Sequence, residues 1–127
     1  MIFSETIEVS VTFSATVRFF LRMLSLQEED AYRQSIFGLK KEEIAEKEYA
    51  ANVALLAQLS TAKPIGLFPN RPDETEEADQ TVYAEDFKTP REAIEAFFAE
   101  KTVLKERIAY FAVRGYFLKL SPTESFF

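Results

Sequence analysis

Cysteine, histidine and tryptophan are absent from this 127-residue chain, and glycine occurs only three times. Without cysteine there is no disulfide, no thiol nucleophile and no thiolate metal site. Without histidine there is no imidazole ligand and no imidazole general base. The glycines, Gly38, Gly66 and Gly115, lie far apart, so no glycine-rich phosphate loop exists. No apolar run approaches the roughly 20 residues that a membrane-spanning helix needs. The first ten residues hold Glu5 and Glu8 but no Lys or Arg, unlike the basic start of a secretory leader. These absences predict a cytoplasmic, non-enzymatic protein with no catalytic residue, no cofactor, no metal and no membrane partner.

Phenylalanine, by contrast, is abundant: thirteen residues, about a tenth of the chain. Aromatic packing must then carry much of the core or of an interface. The length suits a single domain, 1–127, with one sizeable core. The net charge of −6 has a local origin. Asp73, Glu74, Glu76, Glu77, Asp79, Glu85 and Asp86 form an acidic stretch without a base, and the remainder has 14 acids against 15 bases.

Helix signals are clearest in the last third. Thr89-Pro90-Arg91-Glu92 supplies a hydroxyl cap, a proline at the first helical position and a carboxylate at the third. Ile94, Phe97, Phe98, Leu104, Ile108, Phe111 and Ala112 then recur at helical spacing. The pattern predicts one helix over 90–114, roughly 37 Å long, closed by Gly115 as a left-handed C-cap. Ser25-Leu26-Gln27-Glu28 is a second capping box, opening a helix that stops near Gly38. A third helix is predicted from Glu42 to Gln58 or beyond. Asn52 falls within its apolar face, either hydrogen-bonded in the core or setting register at an interface.

Thr6 to Phe13 alternates, with Ile7, Val9, Val11 and Phe13 on one side, which predicts a half-buried strand. The alternation formally continues to Met23, but a strand of ~17 residues is improbably long. A helix over 15–24, capped by Ser14, is therefore the preferred reading. Residues 116–120 are read as a short strand that pairs with the N-terminal one. A Pro-rich, then acidic, mobile loop is expected over about 61–88, pinned by Ile65, Leu67 and Phe68 at one end and by Val82, Tyr83 and Phe87 at the other. The resulting fold class is mainly α: a three- to four-helix domain with a minor β element.

The strings with chemical overtones are weak. Ser60-Thr61-Ala62-Lys63 matches the Ser-x-x-Lys of penicillin-binding enzymes, without the companion motifs. Glu42/Glu46, Glu43/Glu46 and Glu92/Glu95 sit at helical spacing, but Glu43 precedes Lys47 by four, the pattern of a solvated face. The acidic stretch has no Ca²⁺-loop pattern. From Phe87 to Leu120 there are seven bases and four acids, yet the bases are spread around the helix and nucleic acid is not the expected partner. Lys101, in line with Phe97 and Leu104, is expected to lay its stem along the apolar stripe.

The order of a short N-terminal strand, Ala15-Thr16-Val17-Arg18 opening a helix, Leu-rich middle helices and an acidic stretch is similar, over residues 5–60, to the small tail assembly chaperones of tailed bacteriophages. The resemblance rests on layout. It implies a non-catalytic protein, in the host cytoplasm, that holds the tape-measure protein in solution during tail assembly. The function expected is a protein-interaction or assembly module: adaptor, chaperone or structural component. Its partner is another protein, itself as a homo-oligomer, or both. Candidate contact residues are Ile7, Val9 and Val11 on the strand edge, Asp73, Glu74, Glu76, Glu77 and Asp79 in the acidic loop, and Phe126 and Phe127 at the end. The alternative is a small apolar-ligand carrier, with Phe19, Phe97, Phe98 and Phe111 lining a cavity. A nucleic-acid-associated regulator is a less favoured third.

Overall fold

The alternation that begins at Thr6 does continue past residue 13, but around a hairpin. In the computed structural model, which describes residues 5–72 and 81–120, β1 (Thr6–Thr12) and β2 (Thr16–Arg22) pair antiparallel. Their register sets Ile7 against Leu21, Val9 against Phe19 and Val11 against Val17. The helix expected over 15–24 is thus a strand. Val17, Phe19 and Leu21 share one face only at a period of two, and as a strand all three are buried. At the turn the Phe13 N–H donates to the Ala15 carbonyl at 3.1 Å, and the hydroxyls of Thr12 and Thr16 are 2.9 Å apart.

A third strand, β3 (Ser60–Ile65), pairs antiparallel with β2, so the sheet order is β1-β2-β3. The start of the expected 61–88 loop is therefore regular structure. Pro64 is tolerated because β3 is an edge strand, where a missing N–H need not break the ladder. Gly66 ends the strand at φ +94°, so close to β2 that an added Cβ would lie 2.3 Å from the Thr16 carbonyl oxygen. Beyond it Phe68 packs at a tilt against Phe87 (4.9 Å between centroids) and meets Phe97 edge-on (6.0 Å). Tyr83 is buried beneath the Arg71 guanidinium, 4.3 Å from its ring centroid. Leu67, Phe68, Tyr83 and Phe87 thus anchor the two ends, while Ile65 and Val82 face solvent.

Helix α1 (Leu26–Ile36) starts at the predicted capping box. The Ser25 hydroxyl accepts from the Glu28 N–H, and the Glu28 carboxylate accepts from the Ser25 N–H. Arg22 donates to both Glu28 oxygens, at 2.9 and 2.7 Å. Helix α2 (Lys41–Leu59) follows the left-handed Gly38 (φ +73°). The long helix expected over 90–114 is two helices, α3 (Pro90–Phe97) and α4 (Val103–Leu120). The break has two causes. Thr102 caps α4 through its hydroxyl, which accepts from the Lys105 N–H at 3.1 Å. The Phe98 carbonyl, freed at the end of α3, accepts from the Tyr49 hydroxyl at 2.8 Å.

Helix α4 runs on through Gly115 to Leu120, so 116–120 is helix and not a strand. Gly115 is no cap. A Cβ there would come within 3.2 Å of Val9 Cγ1, so its bare backbone allows α4 to lie close against β1.

The architecture is α+β, not mainly α: α2, α3 and α4 pack on a three-stranded sheet and α1 packs on α2, with 55% helix and 19% strand among the described residues. Val9, Val11, Val17, Phe19 and Leu21 face Leu56, Leu59, Ile94, Ile108 and Ala112 in one core. Each fully buried large side chain, Phe19, Leu21, Leu56, Leu59 and Ile94 among them, contributes about 1.5–3 kcal/mol relative to exposure. The other face of the sheet carries Ser10, Thr12 and Arg18, with Arg18 paired to Glu8 at 2.8 Å.

Candidate functional site

Of the sheet's two edges, β3 carries Pro64 and β1 carries neither proline nor lysine of its own. The register shows which groups β1 leaves open. The Met23 N–H donates to the Glu5 carbonyl, and the Phe13 N–H to the Ala15 carbonyl. Antiparallel ladders alternate, so odd-numbered residues of β1 bond to β2. The N–H and C=O of Glu8, Ser10 and Thr12 therefore point outward. The Glu8 carbonyl is capped by Lys119 Nζ at 2.5 Å, reaching across from α4. Such a lysine blunts an edge against indiscriminate pairing. Ser10 and Thr12 lie beyond it, toward the hairpin.

Beside those two residues is an apolar groove of about 440 Å³. Gly115 sets its depth by bringing α4 against β1. Phe13 (44% exposed), Phe111 (41%) and Leu118 (68%) form its walls. Phe13 and Phe111 are 6.2 Å apart between centroids, and Arg114 lies on the rim. An open backbone edge next to exposed apolar side chains is the geometry of strand addition: main-chain hydrogen bonds hold the segment, and alternate side chains enter the groove.

The expected contact residues fall differently. Val9 and Val11 are on the open-edged strand, but their side chains are 2% and 6% exposed beneath α4, and Ile7 is half-buried against the core. What β1 offers is backbone. Asp73, Glu74, Glu76, Glu77, Asp79, Phe126 and Phe127 lie outside the described residues. Of the groove's walls, Phe111 was expected to line an apolar-ligand cavity, whereas Leu118 went unrecognised because the helix was expected to end at Gly115. Once the helix continues, Arg107, Phe111, Arg114 and Leu118 form one stripe at helical spacing.

Other expectations resolve as follows. Ser60 and Lys63 are on β3, where the hydroxyl donates to the Leu56 carbonyl and the ammonium to the Ala84 carbonyl, so they do not form a nucleophile–base pair. Glu43 pairs with Lys47 at 3.1 Å and Glu95 with Arg91 at 3.0 Å, and no cluster of three or more carboxylates among the described residues is placed to hold a metal ion. Lys101 lies between the helices, its ammonium 5.6 Å from the centroid of the Tyr49 ring and 3.8 Å from Glu106. Phe19 and Phe98 are packed in the core, while Phe111 opens on the β1 groove. No helix among the described residues is long and apolar enough to cross a membrane.

No protein-family model matches the chain, and no curated protein or solved structure is significantly similar to it.

Proposed function

We propose that this chain is a non-enzymatic protein-binding module that takes an extended segment of a partner protein as a fourth strand against β1. The observation that carries this reading is the open backbone of Ser10 and Thr12 beside the exposed side chains of Phe13, Phe111 and Leu118. Alternate apolar residues of the segment enter the groove, and acidic residues beside them meet Arg114 and Lys119. A chaperone or assembly component acting in the cytoplasm, such as the bacteriophage tail assembly chaperones, would use such an edge to hold an aggregation-prone partner strand. The tail-chaperone resemblance now lacks the helix at Ala15 that formed part of its layout.

The test uses a short synthetic peptide that alternates valine and threonine and carries a glutamate at each end. Binding is expected to slow hydrogen exchange at the Ser10 and Thr12 amides. Ser10→Pro should abolish it while leaving the β1–β2 ladder intact, because the Ser10 N–H faces away from β2. Leu118→Glu, at an exposed position, should weaken it about tenfold, the scale of one groove contact. Binding that survives both changes would sink the proposal. Light scattering separates the remaining occupant, since pairing of β1 with a second copy would appear as a dimer without peptide.

A further inference from the structure

On the other flank of α4, helices α1, α2 and α4 leave an open cleft. Two adjoining hollows, of about 340 and 200 Å³, are both lined by Glu48, Asn52 and Tyr110. Asn52 is 4% exposed, the one buried polar residue among those described. Its Oδ1 accepts from the Tyr32 hydroxyl at 2.5 Å, whereas its amide nitrogen has no acceptor among the described residues. No fully buried side-chain N or O atom there lacks a partner. That nitrogen is therefore reached from the cleft, not sealed in the core. Glu48 lies one turn earlier on α2, half-buried and with no ion-pair partner among the described residues.

An unused donor and an unused carboxylate thus stand four residues apart on one helix face, with Cβ atoms roughly 5–6 Å apart. The spacing accommodates a small zwitterion. In an α-amino acid, standard bond lengths put the ammonium nitrogen and a carboxylate oxygen about 3 Å apart. A hydrogen bond of about 2.9 Å at each end then spans neighbouring turns of the helix. Charge gives the ligand its direction. The smaller hollow is lined by Glu48, Glu106 and the rings of Tyr49 and Tyr110, with no base. Its wall already attracts a cation, since the Lys101 ammonium lies near both the Tyr49 ring and Glu106. The larger hollow has Arg114, which donates to the Tyr110 hydroxyl at 3.0 Å, together with apolar Val113 and Phe117.

We propose that this cleft binds an α-amino acid with an apolar side chain. Glu48 takes the ammonium, the Asn52 amide and Arg114 take the carboxylate, and the side chain lies against Val113 and Phe117. A peptide N-terminus presents the same ammonium beside a carbonyl oxygen. The site is distinct from the β1 edge and does not depend on strand addition.

The experiment is an NMR titration of the full chain with leucine, leucinamide and N-acetylleucine. Leucine should shift the Asn52 side-chain amide signals and saturate. N-acetylleucine, which lacks the ammonium, should bind at least about tenfold more weakly, the loss expected for one hydrogen bond to a charged group. Glu48→Gln, at a half-exposed position that leaves the core intact, should weaken leucine by a similar factor. Ser10→Pro should leave leucine binding unchanged, so that failure at one site is not mistaken for failure at the other. Leucinamide binding more tightly than leucine would overturn the free amino acid in favour of a peptide N-terminus. No shift at Asn52 with any of the three, or equal binding of leucine and its N-acetyl derivative, would overturn the site itself.

Discussion

Replacing Tyr116 by phenylalanine removes a single oxygen atom from the interior, and the surroundings define what that atom does. Tyr116 is fully buried on α4. Its hydroxyl donates to the Arg22 carbonyl at 2.6 Å and accepts from the Leu24 N–H at 2.9 Å. Those two residues lie where β2 gives way to the cap of α1, so one phenol ties the sheet, the start of α1 and the groove helix together. In Tyr116→Phe the ring keeps its packing, but the N–H of Leu24, a residue 8% exposed, loses its acceptor. A buried donor left unpaired costs about 1–3 kcal/mol. For a chain of this length each kcal/mol is worth about 3–4 °C of Tm, giving an expected fall of about 3–12 °C. Urea unfolding followed by circular dichroism should show a lower midpoint at unchanged slope. Tyr116→Ala, which also empties the ring's volume, should cost about 3–5 kcal/mol and marks the upper bound. A loss below about 0.5 kcal/mol in Tyr116→Phe, less than an ordinary hydrogen bond contributes, would refute the reasoning.

The other predictions follow from backbone and charge. Gly66→Ala should cost about 2 kcal/mol or more, since φ is +94° and the new Cβ would press on the Thr16 carbonyl. Gly38→Ala, at φ +73° with open space around it, should cost about 1 kcal/mol or less, and equal losses at the two sites would contradict the contact argument. The Arg22 hydrogen bonds, with the Ser25 N–H, hold the Glu28 carboxyl down at about 2, below its ordinary 4.5. Its contribution is present above pH 4.5 and lost as pH falls through about 2, so Glu28→Gln should flatten that limb of the stability–pH curve. Burial, then the Glu48 carboxylate, pushes the Tyr32 phenol from 10 to about 12. Its contribution is complete below pH 10 and lost as pH rises through about 12, which the absorbance of the phenolate should track and Tyr32→Phe should remove.

Signals that act between neighbours in sequence could be read directly. The Ser25 and Thr89 caps, the Gly38 stop and the periodicity of α2 involve residues within a turn or two of each other, and they appear in the structure where expected. The same local rules misread 15–24, because alternating Val17, Phe19 and Leu21 become a strand only when β1 and β3 flank them. They also joined α3 to α4, since Tyr49 and Thr102, which satisfy the broken ends, are not part of the apolar stripe.

The sequence by itself therefore determined the starts of α1, α2 and α3, the first strand and the absence of imidazole and thiol chemistry. Tertiary structure alone decided that Gly115 is a contact instead of a cap, that the edge of β1 adjoins a groove, and that Asn52 borders a cleft. The reason is the distance along the chain over which these features form. Tyr116 reaches Leu24 across 92 positions and Lys119 reaches Glu8 across 111, and no local period encodes such meetings.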